Sequence, residues 1–176
     1  MRHVHLYTSY DGTRASRGVV RWDLFHLDGR VLLAGTKRVA LRPMRSVRQV
    51  TLDLARPLAH FGRENLYLRI ALEVAGARVS EDTVLLTLPR FMELPAPRTK
   101  VSFRMGPQGN AVVGFTSPVF QHRFEFDFAS HAFTCSDNFF DLYPGEKRLI
   151  RVHFAQNAPE DELARSLTHR SLADTY

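Results

Sequence analysis

The chain has 176 residues, of which 44% are hydrophobic, and it carries a formal net charge of +6. This length fits one large domain or two small ones, and the hydrophobic content is high enough for a packed core, which excludes a disordered chain. The sequence has neither the ~20-residue apolar run of a membrane-spanning helix nor a secretion signal, so we expect no membrane partner and a cytoplasmic location.

In residues 1–90, apolar and polar side chains alternate with a period of two, which is typical of β-strands with one buried face. The clearest run is 66–74, where Leu66 and the other even-numbered residues should face inward and Tyr67 and its odd-numbered neighbours outward. Further runs lie at 3–7, 20–26, 31–33, 50–54 and 84–88. About six or seven strands at this spacing indicate a β-sandwich.

Two turns are predicted between these strands. Asp28-Gly29 separates two alternating runs, and because both residues tolerate a positive φ we expect a type I′ hairpin turn there. Gly76, flanked by Ala75 and Ala77, should join the strand at 66–74 to the next one.

A proline-rich stretch then divides the chain. Pro89, Pro95 and Pro97 cannot donate a hydrogen bond to a β-ladder, so they favour a short, stiff linker over a strand. The predicted organisation is therefore a first domain at 1–90, a linker at 91–98 and a second, smaller domain at 99–176.

The second domain continues the two-residue period and then changes to a helical one. After the last predicted strand, Pro159 and three acidic residues suit the N-terminus of a helix. Leu163 and Leu167 should share the buried face of this helix, which has room for two or three turns. Strands are expected at 100–105, 111–116, 120–128, 132–135 and 147–154. The predicted fold class is all-β, with two consecutive antiparallel β-sandwich domains and a short C-terminal helix.

No pattern of carboxylates in the sequence predicts catalysis. Glycoside hydrolysis needs two carboxylates that flank a sugar in a cleft. The candidates at Glu64, Glu81-Asp82 and 160–162 lack the aromatic and polar pocket residues that would surround a sugar ring. We therefore predict no catalytic residue.

Histidine and cysteine predict no metal or cofactor. His3 and His5 share one strand face, but a zinc site needs at least a third ligand, and two surface histidines are the simpler interpretation. Cys135 is the only cysteine and lies near Phe133 and Phe139, so we expect a small buried hydrophobic residue.

The positive charge is unevenly distributed. Residues 1–92 carry 15 Lys and Arg against 8 Asp and Glu, a net charge of +7, whereas residues 93–176 carry 9 against 10, or −1. Part of the excess lies at Lys37, Arg38, Arg42, Arg45 and Arg48. Because no aromatic residues interleave with these cations, we predict a solvated or subunit-facing surface and no nucleic-acid partner.

Four aromatic residues of the first domain are candidates for carbohydrate binding, since β-sandwiches present aromatic platforms to sugars. They are Trp22, Tyr7, Tyr10 and Tyr67. For Trp22 a place in the core is the alternative, because it alternates with Val20 and Leu24.

The most distinctive passage of the chain is 136–146. Pro144 presets φ for the second position of a turn and Gly145 supplies a positive φ at the third, which predicts a type II turn. Asp137 and Asn138 can bond neighbouring backbone amides and set a local bend. The apolar residues Phe139, Phe140 and Leu142 are then expected to plug the bottom of the sandwich.

This passage resembles, residue by residue, the signature of the last immunoglobulin-like domain of the β-mannosidases of glycoside hydrolase family 2. The hairpin at 27–30 after a Trp-bearing strand is similar to the preceding sandwich of those enzymes, and 170–176 resembles their C-terminal end. The residues that carry the signature are Ser136, Asp137, Asn138, Phe139, Phe140, Asp141, Leu142, Pro144, Gly145 and Glu146.

The resemblance implies two immunoglobulin-like sandwiches that pack on the catalytic barrel and N-terminal domains of a parent glycosidase. In that family two glutamates of the barrel hydrolyse terminal β-linked mannose with retention, and neither glutamate has a match in this chain. A non-catalytic, supporting role is thus implied. Two alternatives remain open, a carbohydrate-binding module for mannose-containing glycans and a stand-alone partner-binding module.

Overall fold

The structure is a computed structural model that describes residues 2–175. It contains two compact units, Met1–Glu93 (unit 1) and Leu94–Tyr176 (unit 2). Met1 and Tyr176, which bound the two predicted domains, lie outside the described residues. The predicted boundaries and the linker at 91–98 stay a prediction.

The strands of unit 1 in chain order are β1 (His3–Tyr10), β2 (Ser16–His26), β3 (Val31–Leu41), β4 (Arg45–Asp53), β5 (Leu66–Val74) and β6 (Ala77–Leu85). They form two antiparallel sheets, one of four strands in the order β3-β2-β5-β6 and one of two strands, β1-β4. A short helix, α1 (Ala55–Phe61), follows β4, and a 3-10 turn spans Pro89–Phe91.

The core of unit 1 comes from the inward residues of both sheets, as expected for a sandwich. Leu6 of β1, Leu24 of β2 and Leu68 of β5 are all buried within one apolar cluster. The period-two rule fails at the start of β3: Val31 and Leu33 are exposed, whereas Leu32, which lies at a bulge in the β2–β3 pairing, packs against the core. Leu88 is also exposed, since β6 already ends at Leu85.

Both faces of β5 are buried, although the alternation predicted that one of them would face solvent. Tyr67 and Arg69 point away from the core cluster but are covered. Tyr67 stacks on Phe25 of the paired strand, with ring centroids 5.1 Å apart, and Arg69 pairs with Glu81 of β6. A central strand with a covered outer face therefore carries a polar residue that the alternation assigned to solvent.

The β2–β3 hairpin differs from the predicted type I′ turn. The amide of Gly29 donates to the carbonyl of His26 at 2.9 Å, and Gly29 alone in this loop has a positive φ, of 93°. This is a three-residue loop with a glycine bulge. Leu27 is the first residue of this loop, and its side chain is buried in the core.

The turn between β5 and β6 has two central residues, Ala75 and Gly76, whose φ angles are 51° and 80°. Val74 pairs directly with Ala77 across it. A turn was predicted here, and its positive φ values at both central positions are those of a type I′ turn.

The strands of unit 2 are β7 (Lys100–Met105), β8 (Asn110–Thr116), β9 (Gln121–Phe128), β10 (Phe133–Cys135), β11 (Phe140–Leu142), β12 (Lys147–Phe154) and β13 (Leu167–Arg170). They form a four-stranded sheet, β10-β12-β8-β7, and a three-stranded sheet, β11-β9-β13, all antiparallel. Between the two sheets lies a core rich in phenylalanine, in which Phe115, Phe124 and Phe128 are almost completely buried.

The C-terminal helix, α2 (Glu160–Ser166), has about two turns, as expected, but it ends one residue before Leu167, which was predicted to share its buried face. Leu163 is buried, but Leu167 has an extended backbone (φ −66°, ψ 120°) and begins β13. Residues 167–170 pair with the open edge of β9 from Phe128 to Glu125. The gain of a ladder on β9 overrides the helical spacing of these residues. The all-β fold class with a short C-terminal helix is confirmed.

Candidate functional site

The passage at 136–146, called here the motif segment, runs between β10 and β12 and includes β11. Its turn has the predicted type II form: the amide of Glu146 donates to the carbonyl of Tyr143 at 3.1 Å, and Gly145 has a φ of 76°. Phe140 and Leu142 are buried in the core of unit 2, as expected.

Asn138 attaches the motif segment to the edge of β9. Its Oδ1 accepts the amide of Phe126 at 3.2 Å, and its Nδ2 donates to the carbonyl of Phe126 at 3.0 Å. The side-chain amide thus replaces a neighbouring strand beyond Phe124, where the pairing of β9 with β11 stops. Asn138 Oδ1 also accepts the amide of Phe139 at 3.0 Å, which fixes the backbone that follows.

Phe139 does not plug the sandwich, contrary to expectation. Its side chain is 65% exposed, and its φ of 61° lies in the left-handed region. For a bulky residue this backbone is a genuine outlier, which costs about 1–3 kcal/mol. The bonds of Asn138 on one side and the buried Phe140 on the other hold Phe139 in this conformation.

The other polar residues of the motif segment bond neighbouring strands. Ser136 Oγ accepts the amide of Arg151 at 3.1 Å, and Asp137 pairs with Arg148 of β12. On the opposite side, Asp141 Oδ1 accepts the amide of Arg123 at 2.9 Å and lies 2.9 Å from Nδ1 of His122. The motif segment therefore ties both sheets of unit 2 together.

A cavity of about 520 Å³, called here the motif cavity, opens beside Phe139. Because Thr168 pairs with Asp127 and Arg170 with Glu125 in the β13–β9 ladder, these four side chains share one face of the sheet. The aromatic side of the cavity includes Phe139 and Phe133. The lining residues are Glu125, Phe126, Asp127, Phe133, Asn138, Phe139, Thr168, His169 and Arg170.

Two of the polar groups around the motif cavity are held in place. Glu125 forms an ion pair with Arg170 across the ladder. The ring of His169 stacks on Phe124, with centroids 5.4 Å apart, which orients the imidazole at the rim. The cavity therefore combines aromatic surface with fixed hydrogen-bond donors and acceptors.

The sequence interpretation missed these polar residues because it placed Leu167 on the buried face of a helix and predicted no strand at 167–170. Without a predicted strand at 167–170, nothing in the sequence indicates that Thr168 and Arg170 lie beside β9. The outward positions of Glu125 and Asp127 could have been found, because they alternate with the buried Phe124, Phe126 and Phe128.

The four aromatic candidates of unit 1 do not form one platform. Tyr7 is on the outer face of β1 and 58% exposed. Tyr10 and Trp22 pack against the core cluster, and Trp22 lies over Gly35 of the paired strand. Tyr67 is completely buried, so it has no ring face for a sugar, and its inclusion was wrong. Only Tyr7 presents a largely open ring.

The carboxylates considered in the sequence have local structural contacts. Glu81 pairs with Arg69 and Arg78, and Asp82 accepts the amide of Thr83 at 2.8 Å. In unit 2, Glu162 lies 3.6 Å from Nε2 of His131.

The first turn of α2 also contacts β7. Glu160 Oε1 accepts the amide of Met105 at 3.4 Å. This contact joins α2 to β7.

The two histidines lie at the surface, as predicted, whereas Cys135 is only partly buried. His3 and His5 share the outer face of β1, and His5 Nδ1 lies 2.9 Å from Oγ1 of Thr51. Cys135 packs against the core of unit 2, and this burial raises the pKa of its thiol. Within residues 2–175 no three His, Cys, Asp or Glu side chains are grouped closely enough to hold a metal ion.

The basic residues of unit 1 lie mainly at the surface. Arg38 of β3 and Arg45 of β4 are exposed, whereas Lys37 donates to the carbonyl of Gln49 at 2.5 Å. In the part of the chain that is described, both helices have seven residues, and neither is long and apolar enough to cross a membrane.

Two protein-family models together match almost the whole chain. The model described as a mannosidase Ig/CBM-like domain matches residues 2–90, and a model described as an Ig-fold domain matches residues 95–175. A comparison with curated protein sequences gives no match.

Solved structures with the same fold come from glycosidases. The β-D-mannosidase from Dictyoglomus thermophilum matches with a TM-score of 0.79 and 13% identity, over 97% of this chain and 20% of its own. The exo-chitosanase from Amycolatopsis orientalis matches with a TM-score of 0.53 and 14% identity, over 96% of this chain and 24% of its own. The chain thus spans about a fifth to a quarter of these enzymes, and Ig-like domains of this kind occur in mannosidases and related glycosidases.

Proposed function

We propose that this chain, which belongs to the family of mannosidase Ig/CBM-like domains, supports the catalytic barrel of a β-mannosidase-like glycoside hydrolase and has no catalytic residue of its own. The observation that carries the proposal is the order of the two units. Both family models follow one another in this chain, and 97% of the chain matches the fold of one stretch, 20% of the length, of a β-mannosidase.

The contacts of the acidic residues support a non-catalytic role. A retaining glycosidase needs two carboxyl groups about 5–5.5 Å apart, one protonated and one ionised, on either side of a sugar. Glu81 and Glu125 each form an ion pair with an arginine of the neighbouring strand, so both serve as partners within a β-ladder.

A turnover assay tests the absence of catalysis. The purified chain is incubated with p-nitrophenyl β-mannoside, and we expect nitrophenol release at the rate of the buffer blank. The matched control is the double variant Glu125→Gln, Asp127→Asn, which should give the same blank rate. Release by the native chain that disappears in the double variant would show that this chain is itself an enzyme.

Support of a barrel needs a second experiment. We expect a barrel-coding sequence on the 5′ side of this gene region, and its product is prepared with and without the chain. With the chain present, thermal inactivation of mannosidase activity should shift to a higher temperature. An equal inactivation profile in both preparations would contradict the supporting role.

Sugar binding by unit 1 is a second candidate, favoured by the open ring of Tyr7 on the outer face of β1. Titration with manno-oligosaccharides, followed by NMR, should shift the signals of β1 if this face binds sugar, and Tyr7→Ala should abolish the shifts. Phe91→Ala, which removes another exposed ring of unit 1, is the matched control.

A further inference from the structure

We infer that the motif cavity of unit 2 binds a neutral, hydroxyl-rich ligand, an oligosaccharide, with the ring of Phe139 as its platform. The geometry of unit 2 carries this inference. Only the choice of β-linked oligosaccharides as probes, with a manno-oligosaccharide first, rests on the proposed function.

The first argument is the placement of Phe139. Phe139 is 65% exposed although six other phenylalanines are buried in the core cluster of unit 2, and its backbone is in the left-handed region. Folding alone would favour a polar residue or glycine at such a position. A strained and exposed aromatic residue, fixed by the amide of Asn138, is the kind of outlier from which a functional role is inferred.

The second argument is the polar part of the cavity lining, on the β9–β13 strand pair. The Glu125 carboxylate accepts one bond from Arg170, and Asp127 Oδ1 accepts the amide of Phe128 at 2.9 Å. A carboxylate offers about four acceptor positions and a guanidinium five donors, so both groups keep capacity for further bonds. Adjacent acceptors and donors on one strand pair suit the neighbouring hydroxyl groups of a sugar, while an aromatic face suits its C–H surface.

Charge and size narrow the class of ligand. Glu125, Asp127 and Arg170 place charges of both signs in the lining of the cavity, so an anion would meet the carboxylate of Asp127 and a cation would meet the guanidinium of Arg170. A neutral polyol meets neither penalty. The cavity of about 520 Å³ lies within the range of ~300–1,000 Å³ that is typical of small-molecule sites.

The test is an NMR titration of the ¹⁵N-labelled full chain with β-1,4-mannotriose, and separately with cellotriose, up to roughly 10 mM, which covers millimolar dissociation constants. We expect amide shifts around β9, β13 and Phe139 with at least one of the two sugars. Phe139→Ala should weaken the binding about tenfold or more, a change easily measured at these affinities. Phe91→Ala removes an exposed ring of unit 1 and should leave the affinity unchanged.

Phe139→Gly guards against a folding defect, because glycine adopts the backbone of this position without strain. It should keep the dispersed spectrum and lose the sugar shifts. No shift with either sugar, shifts that survive both Phe139 variants, or shifts confined to the face of Tyr7 would each overturn the inference. Binding of cellotriose but not mannotriose would support the sugar site and contradict a mannose ligand. The proposed function is tested independently, by the turnover and thermal inactivation assays.

Discussion

Asn138 and Phe139 are neighbours in the chain with opposite roles. The side-chain amide of Asn138 bonds the edge of β9 as a neighbouring strand would, and these hydrogen bonds are all to backbone groups. Phe139 contributes little to the core and keeps a backbone conformation that costs free energy. The motif segment therefore stabilises unit 2 through one residue and exposes the next.

Replacing Asn138 by alanine should lower the free energy of unfolding by about 2–4 kcal/mol, because the amide and carbonyl of Phe126 lose their partners at a partly buried edge. Urea unfolding followed by circular dichroism measures the change. Asn110→Ala is the control, since its Nδ2 bonds only a turn carbonyl, and its effect should stay below about 1 kcal/mol. Equal effects of the two substitutions would contradict the strand-like role of Asn138.

Asp28 gives a second prediction at the scale of a residue. The backbone amide of Arg30 donates to Oδ1 at 3.0 Å, and this bond, together with the guanidinium, holds the pKa of the carboxyl below its ordinary value of 3.8. Since the pKa is lower in the folded state, the contribution to stability is present above the ordinary pKa and is lost as the pH falls through the folded value.

The titration of the Asp28 carboxyl carbon, followed by NMR between pH 6 and pH 2, should have its midpoint below 3.8. In Arg30→Ala the midpoint should move up only in part, because the backbone amide remains. A midpoint at or above 3.8 in the native chain would show that the loop bond does not form in solution.

At the scale of elements, strands with one buried face were predictable and exceptions had local causes. Residues 124–128 and 147–154 alternate as expected because each run lies at the face of a single core. The alternation could not reveal that β5 is covered on its outer face, since burial there depends on Phe25 of another strand. Nor could spacing distinguish a helix from β13, because the open edge of β9 exists only in the folded unit.

The motif segment illustrates the same limit for the candidate site. Its turn at Pro144-Gly145 follows from residue chemistry alone and was predicted. The exposure of Phe139 was not, because an apolar residue between two core residues is expected to be buried. The ring of Phe139 points outward because Asn138 bonds both Phe126 of β9, 12 residues earlier in the chain, and the amide of Phe139.

The β2–β3 ladder permits a test of packing between elements. Trp22 pairs with Gly35, and a methyl group at position 35 would overlap the indole ring. Gly35→Ala should therefore lower the stability by about 1–3 kcal/mol, as overpacking does. Because Trp22 is the only tryptophan, its fluorescence maximum should shift as well.

Gly106→Ala is the matched control for this substitution. Its added methyl group would meet the carbonyl of Asn110 at an ordinary contact distance of 3.4 Å. Both the stability and the fluorescence should stay close to those of the native chain. A Gly35→Ala variant that also leaves both unchanged would mean that the indole is free to move away.

At the scale of the whole molecule, each unit has its own core and the charge is divided unequally. The apolar clusters of units 1 and 2 share no residue, and the excess of cations belongs to residues 1–92. The residues between the 3-10 turn at Pro89–Phe91 and β7 form no regular secondary structure. This division is the basis for proposing two domains.

Residues 94–176 expressed alone should fold, because 12 buried residues form their core without a contribution from unit 1. A unit of this size buries only about 60% of its unfolded surface, so we expect a cooperative but modestly stable domain. The measurement is an amide correlation spectrum together with thermal unfolding. Dispersed signals that match those of unit 2 in the full chain would establish an independent domain, and the same sample should retain the sugar shifts of the motif cavity. A collapsed spectrum would show instead that unit 2 depends on the rest of the chain, and the boundary at 91–98 would then not separate folding units.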